Sequence, residues 1–346
     1  MSVETRPSIA LWGAGMISGA HGAAASFLLM PITGVASRTV ERATAQAERL
    51  RAEAVTYDDL PGGADIVVVS TPPQFHAAHT LRLLDAGAAV VVEKPLCTTL
   101  DDADRMVQAA RAHGERVLYA ENLGYAPVVE RLLGMTAGIG PLTHLEVRTM
   151  QGLPTWGDFT SDEWGGGALF DLGVHALAIA VLAAGAGGAG PVTSVSAVLR
   201  GGDGHNSDEH AEVALTFRSG LVGQVVSSWQ GGPDQVWDVQ LSSESAVLRA
   251  DFWPRPTLEH NGDPVPVPPS ARVIPFIEEL GYYGQLQAFA ADIRDATTPF
   301  MDVSFGRLIL DIVCAAYQSA GRGGADEAVP FTGPRDKTPL QLWHRG

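Results

Sequence analysis

The feature that most narrows the possible folds is the run Ile9-Ala-Leu-Trp-Gly13-Ala-Gly15-Met-Ile-Ser18-Gly19, an apolar strand passing into a glycine bend and then a helical stretch. In such a turn Gly13 permits the tight bend and Gly15 lets backbone approach a pyrophosphate. The helix start at Met16 and Ile17 supplies N–H groups and a partial positive charge. Ser18 stands at the third glycine position of the fingerprint and is small enough to let helix and strand pack closely. A G-x-G-x-x-S pattern alone is weak evidence. Its place strengthens it, because it opens the first βαβ unit and the second strand follows at the usual spacing.

The same rhythm continues to Ala120. Candidate strands Ile9–Trp12, Gly34–Ala36, Ile66–Val69, Ala89–Val92 and Val117–Tyr119 alternate with helical patterns at Val40–Ala52, Phe75–Ala86 and Leu100–His113. Short, nearly all-apolar strands read as buried on both faces, the signature of a parallel sheet covered by helices. This predicts an α/β Rossmann domain, doubly wound, over residues 1–122. A length of 346 residues calls for a second domain, since single cores stop growing at roughly 250–300 residues.

After Pro127 the pattern changes. One helical stretch, Ala168–Ala184, precedes strand-like runs at Thr193–Leu199, Glu212–Phe217, Leu221–Trp229, Trp237–Leu241 and Ala246–Ala250. No helical pattern separates these runs, so neighbours are expected to pair antiparallel. Residues 123–346 are thus predicted to form an α+β domain on one large, open, mainly antiparallel sheet. Ala183–Gly190 reads as a flexible loop and Pro254–Pro269 as a polyproline-like excursion. Helical patterns at Tyr283–Ala296 and Phe305–Ala320 follow, and the final helix, 303–321, is expected to pack back on the first domain.

A net charge of −16 argues against nucleic-acid and anionic-membrane partners, and a small ligand fits better. No run reads as the ~18 apolar residues of a membrane span, and the short polar start at Met1–Pro7 carries no export signal, so the expected location is cytoplasmic. Cys97 and Cys314 lack metal-ligand or redox spacing and read as buried thiols. His205 and His210, with Asp203, Asp208 and Glu209, read as a solvated hairpin turn, and no metal is expected.

At the end of the second strand, where an acid usually holds the ribose of NAD, stand Ser37 and Arg38, with Arg42 a helical turn on. A hydroxyl and guanidinium forks suit a 2′-phosphate, so NADP is favoured over NAD, with Glu41 the one nearby acid that could reverse this. The plainer alternative is that both arginines solvate a helix start.

Two further groups carry chemistry. The strand Ala89–Val92 ends in Glu93-Lys94-Pro95, and ligands of open parallel sheets bind beyond the carboxyl ends of strands. A lysine there can share a proton with a substrate oxygen as charge develops, although a lysine after a strand is, taken alone, more often a solvated cation. In Gly165-Gly-Gly-Ala-Leu-Phe-Asp171-Leu-Gly-Val-His175, the acid and imidazole are four apart on a predicted helix face. A carboxylate beside an imidazole favours and orients its protonated form. The three glycines are read as letting backbone approach a ligand. The segment equally describes a capped helix start with a satisfied pair.

Taken together, Gly13-Ala-Gly15, Ser70-Thr71-Pro72-Pro73 with His76, Glu93-Lys94-Pro95 and the Gly165-to-His175 segment closely resemble the Gfo/Idh/MocA family of oxidoreductases. The resemblance runs through nearly the whole chain in order, to the helix ending Tyr317-Gln-Ser-Ala320. It implies a Rossmann domain holding NAD or NADP, and a second domain whose open sheet often joins subunits as homodimers or homotetramers. Substrates are expected to be sugars, inositols, related polyols or their keto forms. By the matching motifs, Lys94 and His175 are the proton-handling groups and Asp171 their orienting partner. Thr71, Pro72 and His76 are expected along the nicotinamide side of the cofactor, with Glu93 and Lys94 beneath it. The bond before Pro95 is often cis in such proteins, which would aim the lysine into the site.

Departures from the family pattern bear on substrate choice. Ala178 replaces an acid often found three residues after the histidine, and Gly124 replaces a common arginine, so anionic substrates lose one expected cation. Asn122 and Tyr125 remain candidate pocket residues. Gln151, Trp156 and Trp164 lie in the segment expected to shape the substrate face, where aromatics either stack on a sugar ring or pack in the core. Trp229, Trp237 and Trp253 read as sheet packing or subunit contact. The reading requires Lys94, Asp171 and His175 to meet around a nicotinamide. Two alternatives are a non-catalytic NADP-binding sensor and an enzyme that recycles a tightly held cofactor.

Overall fold

A computed structural model describes residues 6–59, 64–232, 235–267 and 275–345. In chain order the elements begin with β1 (Ile9–Trp12), α1 (Met16–Phe27), β2 (Ile32–Ala36), α2 (Val40–Leu50), β3 (Glu53–Val55), β4 (Ile66–Val69), α3 (His76–Asp85), β5 (Ala89–Glu93), α4 (Leu100–Ala112), β6 (Val117–Ala120), α5 (Pro127–Thr136), β7 (Leu142–Met150) and α6 (Val174–Ala186). There follow β8 (Val192–Gly201), β9 (Asp208–Phe217), β10 (Val222–Ser228), β11 (Val236–Ser243), β12 (Val247–Trp253), β13 (Thr257–His260), β14 (Asp263–Pro264), α7 (Pro275–Glu279), α8 (Tyr282–Asp295), α9 (Val303–Gly321), β15 (Glu327–Ala328) and α10 (Pro339–Arg345).

The chain divides into two compact units: Met1–Cys97 with Asp102–Asn122 and Arg272–Gly306, and Thr98–Asp101 with Leu123–Ala271 and Arg307–Gly346. The first is built on a six-stranded sheet of order β3-β2-β1-β4-β5-β6, parallel throughout. Strand order reverses beside β1, and open α/β sheets take their ligands at such a point, here the carboxyl ends of β1 and β4. The all-apolar strands behave as their composition requires: β1 and β4 are buried along their whole length, and β5 up to and including Glu93. The edge strand β3 is an addition to the five strands expected; being short and largely exposed, it has no apolar run to announce it.

The second unit carries a nine-stranded sheet of order β14-β13-β12-β11-β7-β10-β9-β8-β15. Its strands alternate buried and half-exposed residues, so one face is core. The pairing is antiparallel except that β7 lies parallel to β10. This corrects one expectation: β10 and β11 follow one another in sequence but are not neighbours, because β7 inserts between them. The polar alternation of Leu-Thr-His-Leu-Glu-Val-Arg-Thr-Met conceals β7 from any search for apolar runs.

Two expected loops are also partly ordered. Helix α6 runs on to Ala186, its small residues favouring helix over the flexible tract expected. Within Pro254–Pro269, β13 and β14 form a short hairpin, with residues 268 and 269 outside the described set. Among the described residues one stretch, Asp162–Ala186, is apolar and long enough to cross a membrane by composition, contrary to the sequence reading. It is 89% buried within the fold, as a core helix is.

Candidate functional site

In the first unit, parallel strands bring three loops to one edge. The register aligns Trp12 with Val69 and Val69 with Val92, so Gly13, Ser70 and Glu93 leave their strands at the same level. Gly13 has φ +126°, and a Cβ there would lie 2.5 Å from the Ser70 carbonyl oxygen, so only glycine lets these loops pack. Gly15 and Met16 are exposed and Ile17 is half-buried. Among the described residues, a Cβ on Gly15 would meet nothing within 4 Å and no side chain caps the first turn of α1. Uncapped helix amides behind an open glycine suit a dinucleotide pyrophosphate, so the residues fit that cofactor.

Ser37 is half-buried, and Arg38, Glu41 and Arg42 are exposed where β2 leads into α2. Tyr57 approaches Arg38, and burial raises its phenol pKa against the pull of that arginine. Thr71 is buried, with its Oγ1 3.1 Å from His79 Nδ1, and Pro72 is half-buried. His79 also lies edge-on to Trp12 and against Tyr57 and Phe75, and burial, with His76 and Arg82 nearby, depresses its pKa to about 4.

His76 is buried, its Nδ1 2.9 Å from the Pro95 carbonyl and its Nε2 2.6 Å from the Thr71 carbonyl. Both ring nitrogens thus face carbonyls of the loops after β4 and β5, to one of which a neutral ring donates, and burial lowers its pKa against the opposing effect of those carbonyls and Glu93. Lys94 is half-buried and its bond to Pro95 is cis. Glu93 Oε2 accepts the Lys94 backbone N–H at 3.1 Å, and Glu93 Oε1 lies 2.6 Å from Nε2 of His21. Burial raises the Glu93 pKa, but the His21 hydrogen bond and the attraction of His21 and Lys94 outweigh it and leave the carboxyl below its ordinary value. Asn122, also in this unit, donates from Nδ2 to the Leu280 carbonyl at 2.6 Å.

In the second unit, Asp171 and His175 are both buried. They do not share one regular α-helix: Leu169–Gly173 is a π-turn, and α6 begins at Val174. The wider turn alters the i, i+4 geometry expected from sequence, and π-turns often mark functional positions. The Trp229 indole N–H donates to Asp171 Oδ2 at 3.4 Å, and the His175 ring lies 5.4 Å from that of Trp237. Trp229 is therefore more than sheet packing.

The glycines before the turn serve a different purpose from the one expected. Gly167 N–H donates to Asp208 Oδ1 at 3.0 Å, Leu169 N–H to Asp208 Oδ2 at 2.8 Å, and the Tyr317 hydroxyl also donates to Asp208. A Cβ on Gly166 would strike Phe170 and Tyr317, and one on Gly167 would strike Asp208. The close approach is to protein. Asp208 is accordingly no part of a solvated hairpin: it is fully buried, and burial raises its pKa against the lowering effect of those hydrogen bonds.

Among the candidate substrate residues of this unit, Tyr125 is buried, Gln151 half-buried and Trp156 exposed. Phe159 joins Trp156, Trp164 and Trp229 at ring separations of 6.5, 4.7 and 6.3 Å. This aromatic run reaches the indole that holds Asp171. Sequence reasoning missed His21, Asp208 and the bond from Trp229; only a buried histidine on an alanine-rich helix face, in the case of His21, left a trace.

Two family models match the chain. One, described as an oxidoreductase family with an NAD-binding Rossmann fold, matches residues 8–121, and the GFO/IDH/MocA C-terminal domain matches residues 136–247. The chain is 33% identical over 159 residues to D-glucoside 3-dehydrogenase of Escherichia coli (strain K12), a match spanning 43% of this chain and 45% of that protein. It is 32% identical over 248 residues, 67% of this chain and 70% of the other, to dTDP-3,4-didehydro-2,6-dideoxy-alpha-D-glucose 3-reductase of Actinomadura kijaniata. The fold is similar to the crystal structure of GenD2 from gentamicin A biosynthesis in complex with NAD, with a TM-score of 0.83 at 23% identity over 95% of this chain and 98% of that one. The chain belongs to the Gfo/Idh/MocA family of oxidoreductases.

Proposed function

We propose that this chain is an NAD(P)-dependent oxidoreductase that interconverts a hydroxyl and a keto carbon of a sugar, inositol or related polyol. The observation that carries the reading is the shared edge of β1, β4 and β5, where the Gly13–Gly15 bend, the Thr71–Pro72 loop and Lys94 emerge side by side. The relatives named above act on glucosides and deoxyhexose nucleotides, which favours a sugar-like substrate.

When bound, the nicotinamide supplies or accepts hydride at C4. Gly13, Gly15 and the α1 amides of Met16 and Ile17 hold the pyrophosphate, and Thr71, Pro72, His76, Glu93 and Lys94 line the nicotinamide side. Lys94 takes the proton from the substrate hydroxyl on oxidation, or returns it on reduction. His175 is the second proton-handling group, oriented by Asp171, whose carboxylate Trp229 steadies. Asn122, Tyr125, Gln151, Trp156 and Trp164 contribute to substrate recognition, with the exposed Trp156 suited to stacking on a sugar ring.

NADP is the favoured coenzyme, since exposed Arg38 and Arg42 can fork a 2′-phosphate with Ser37 beside them. The half-exposed polar face of the nine-stranded sheet, with the Arg148–Asp238 ion pair at its centre, suits contact with a second copy of the chain in a homodimer or homotetramer. Cytoplasmic location remains part of the proposal.

The test is turnover of methyl β-D-glucoside, D-xylose and myo-inositol with NAD+ and NADP+, followed by nicotinamide absorbance, for the wild type and Lys94→Met. Turnover that disappears in Lys94→Met while cofactor affinity persists supports the reading. Retained activity in that variant overturns the role of the lysine, and coenzyme binding without turnover of any alcohol or its keto form overturns the enzyme.

A further inference from the structure

We propose that His21 is a positioning residue for Lys94, acting through the Glu93 carboxylate. The imidazole sits in α1, the helix that begins at the Gly15 bend, and is fully buried. Its Nε2 lies 2.6 Å from Glu93 Oε1, while the other oxygen of the same carboxylate accepts the Lys94 backbone N–H at 3.1 Å. A single carboxylate therefore bridges the glycine-turn helix to the residue at the tip of β5.

A merely space-filling residue at this position would be apolar. Burying an imidazole costs free energy that only its hydrogen bonds offset, and Nδ1 of His21 is buried without a hydrogen-bond partner among the described residues. The carboxylate is thus the one hydrogen-bonding outlet of the ring among the described residues, and losing either partner strands the other in the interior. Tyr282 packs edge-on against the imidazole at a ring separation of 5.4 Å. The other ionisable groups close by are His76, Tyr119, Glu121 and Tyr282; both phenols are pushed well above their ordinary range by burial and by Glu121 and Glu93 and stay uncharged, so neither offers Glu93 a cation in place of His21. With the carboxylate fixed at both oxygens, the backbone from which the Lys94 side chain departs is fixed as well. The catalytic consequence, though not the positioning itself, rests on the role proposed for Lys94 above.

The experiment compares His21→Leu, His21→Asn and His21→Gln in the full chain. Glutamine places an N–H donor where Nε2 stands, whereas asparagine stops at the level of Nδ1. The first readout is hydrogen exchange at the Lys94 amide, with Ile66–Val69 of β4 as an internal control. We expect exchange at Lys94 to speed up about tenfold or more in His21→Leu and His21→Asn and by less than about threefold in His21→Gln, the β4 amides staying unchanged. If His21→Leu fails to fold, the asparagine and glutamine variants carry the comparison alone.

The second readout is turnover of the best substrate among methyl β-D-glucoside, D-xylose and myo-inositol, with NADPH affinity measured by fluorescence. We expect kcat to fall about tenfold in the leucine and asparagine variants, to recover in the glutamine variant, and NADPH affinity to change less than about threefold. Unchanged exchange at Lys94, equal damage in all three variants, or loosening that extends to β4 overturns the inference. If exchange behaves as expected but Lys94→Met stays active, the lysine loses its catalytic role and the positioning stands. If Lys94→Met is dead and His21→Leu is wild-type in exchange and kcat, the inference alone falls.

Discussion

Asp208 and Gly167 touch backbone to backbone: a Cβ on the glycine would lie 2.1 Å from the Asp208 carbonyl oxygen, and the Gly167 N–H donates to the same residue's carboxylate at 3.0 Å. The contact fastens the start of the π-turn that carries Asp171, and Thr149 Oγ1 fastens its far end through the Leu172 carbonyl at 3.2 Å. A methyl group at residue 167 cannot be absorbed by a side-chain rotation, because the obstructing atoms are backbone. Gly167→Ala is therefore expected to cost about 1–3 kcal/mol or more of stability and to reduce turnover by displacing the π-turn. Thermal unfolding and steady-state rates check this, and a variant of wild-type stability would show that the turn tolerates displacement.

Trp229 offers a gentler probe of the same turn. Its indole N–H reaches Asp171 at 3.4 Å, a long bond, so Trp229→Phe removes one weak donor while keeping most of the packing with Ala168 and Leu172. The expected result is a fall in kcat of about three- to tenfold, the equivalent of roughly 0.6–1.4 kcal/mol, with little change in unfolding temperature. A large loss of stability with unchanged kcat in the folded fraction would assign the indole to packing alone.

How legible these features are in the sequence depends on the distance to their partners. The Gly13 bend, the Glu93-Lys94-Pro95 tip and the Asp171-to-His175 segment stand out because each is a local pattern at the end of a strand or the start of a helix. His21, Asp208 and Trp229 do not, because their partners lie 72, 41 and 58 residues away. Asp208 illustrates the cost: beside His205, Glu209 and three other polar residues it looks solvated, and only the folded chain shows it buried under a tyrosine hydroxyl and two backbone amides. The place of strand β7 in the sheet is hidden for a similar reason, since its parallel partner β10 lies beyond a helix and two strands, while the strand itself is masked by its polar alternation. The π-turn is invisible too, because a one-residue widening of a helix leaves no compositional trace.

Coenzyme choice tests the exposed edge of β2 and α2. Charge-assisted hydrogen bonds to a phosphate contribute about 1.5–3 kcal/mol, so Arg38→Ala combined with Arg42→Ala is expected to raise KM for NADPH by roughly one to two orders of magnitude. KM for NADH should move little, because the two coenzymes differ only at the 2′ position. Equal effects on both coenzymes would place the arginines elsewhere on the cofactor, and a wild-type preference for NADH would reverse the assignment.

The cluster around His79 makes a prediction about acid. Its folded pKa is about 4 against an unfolded value of 6.5, because burial disfavours the cation and His76 and Arg82 repel it. The folded chain binds fewer protons there than the unfolded chain between those values, so stability is fully present above pH 6.5 and declines as pH falls toward 4. Replacing His79 by Phe keeps an aromatic ring beside Trp12 and Phe75 but removes the titration. The unfolding midpoint of wild type relative to His79→Phe should therefore fall as pH is lowered from neutrality toward 5, the variant losing less. The common loss from carboxylate protonation cancels in the difference. Parallel pH curves for the two proteins would mean that the imidazole accepts a proton in the folded state as readily as in the unfolded chain, and that the aromatic cluster does not exclude charge.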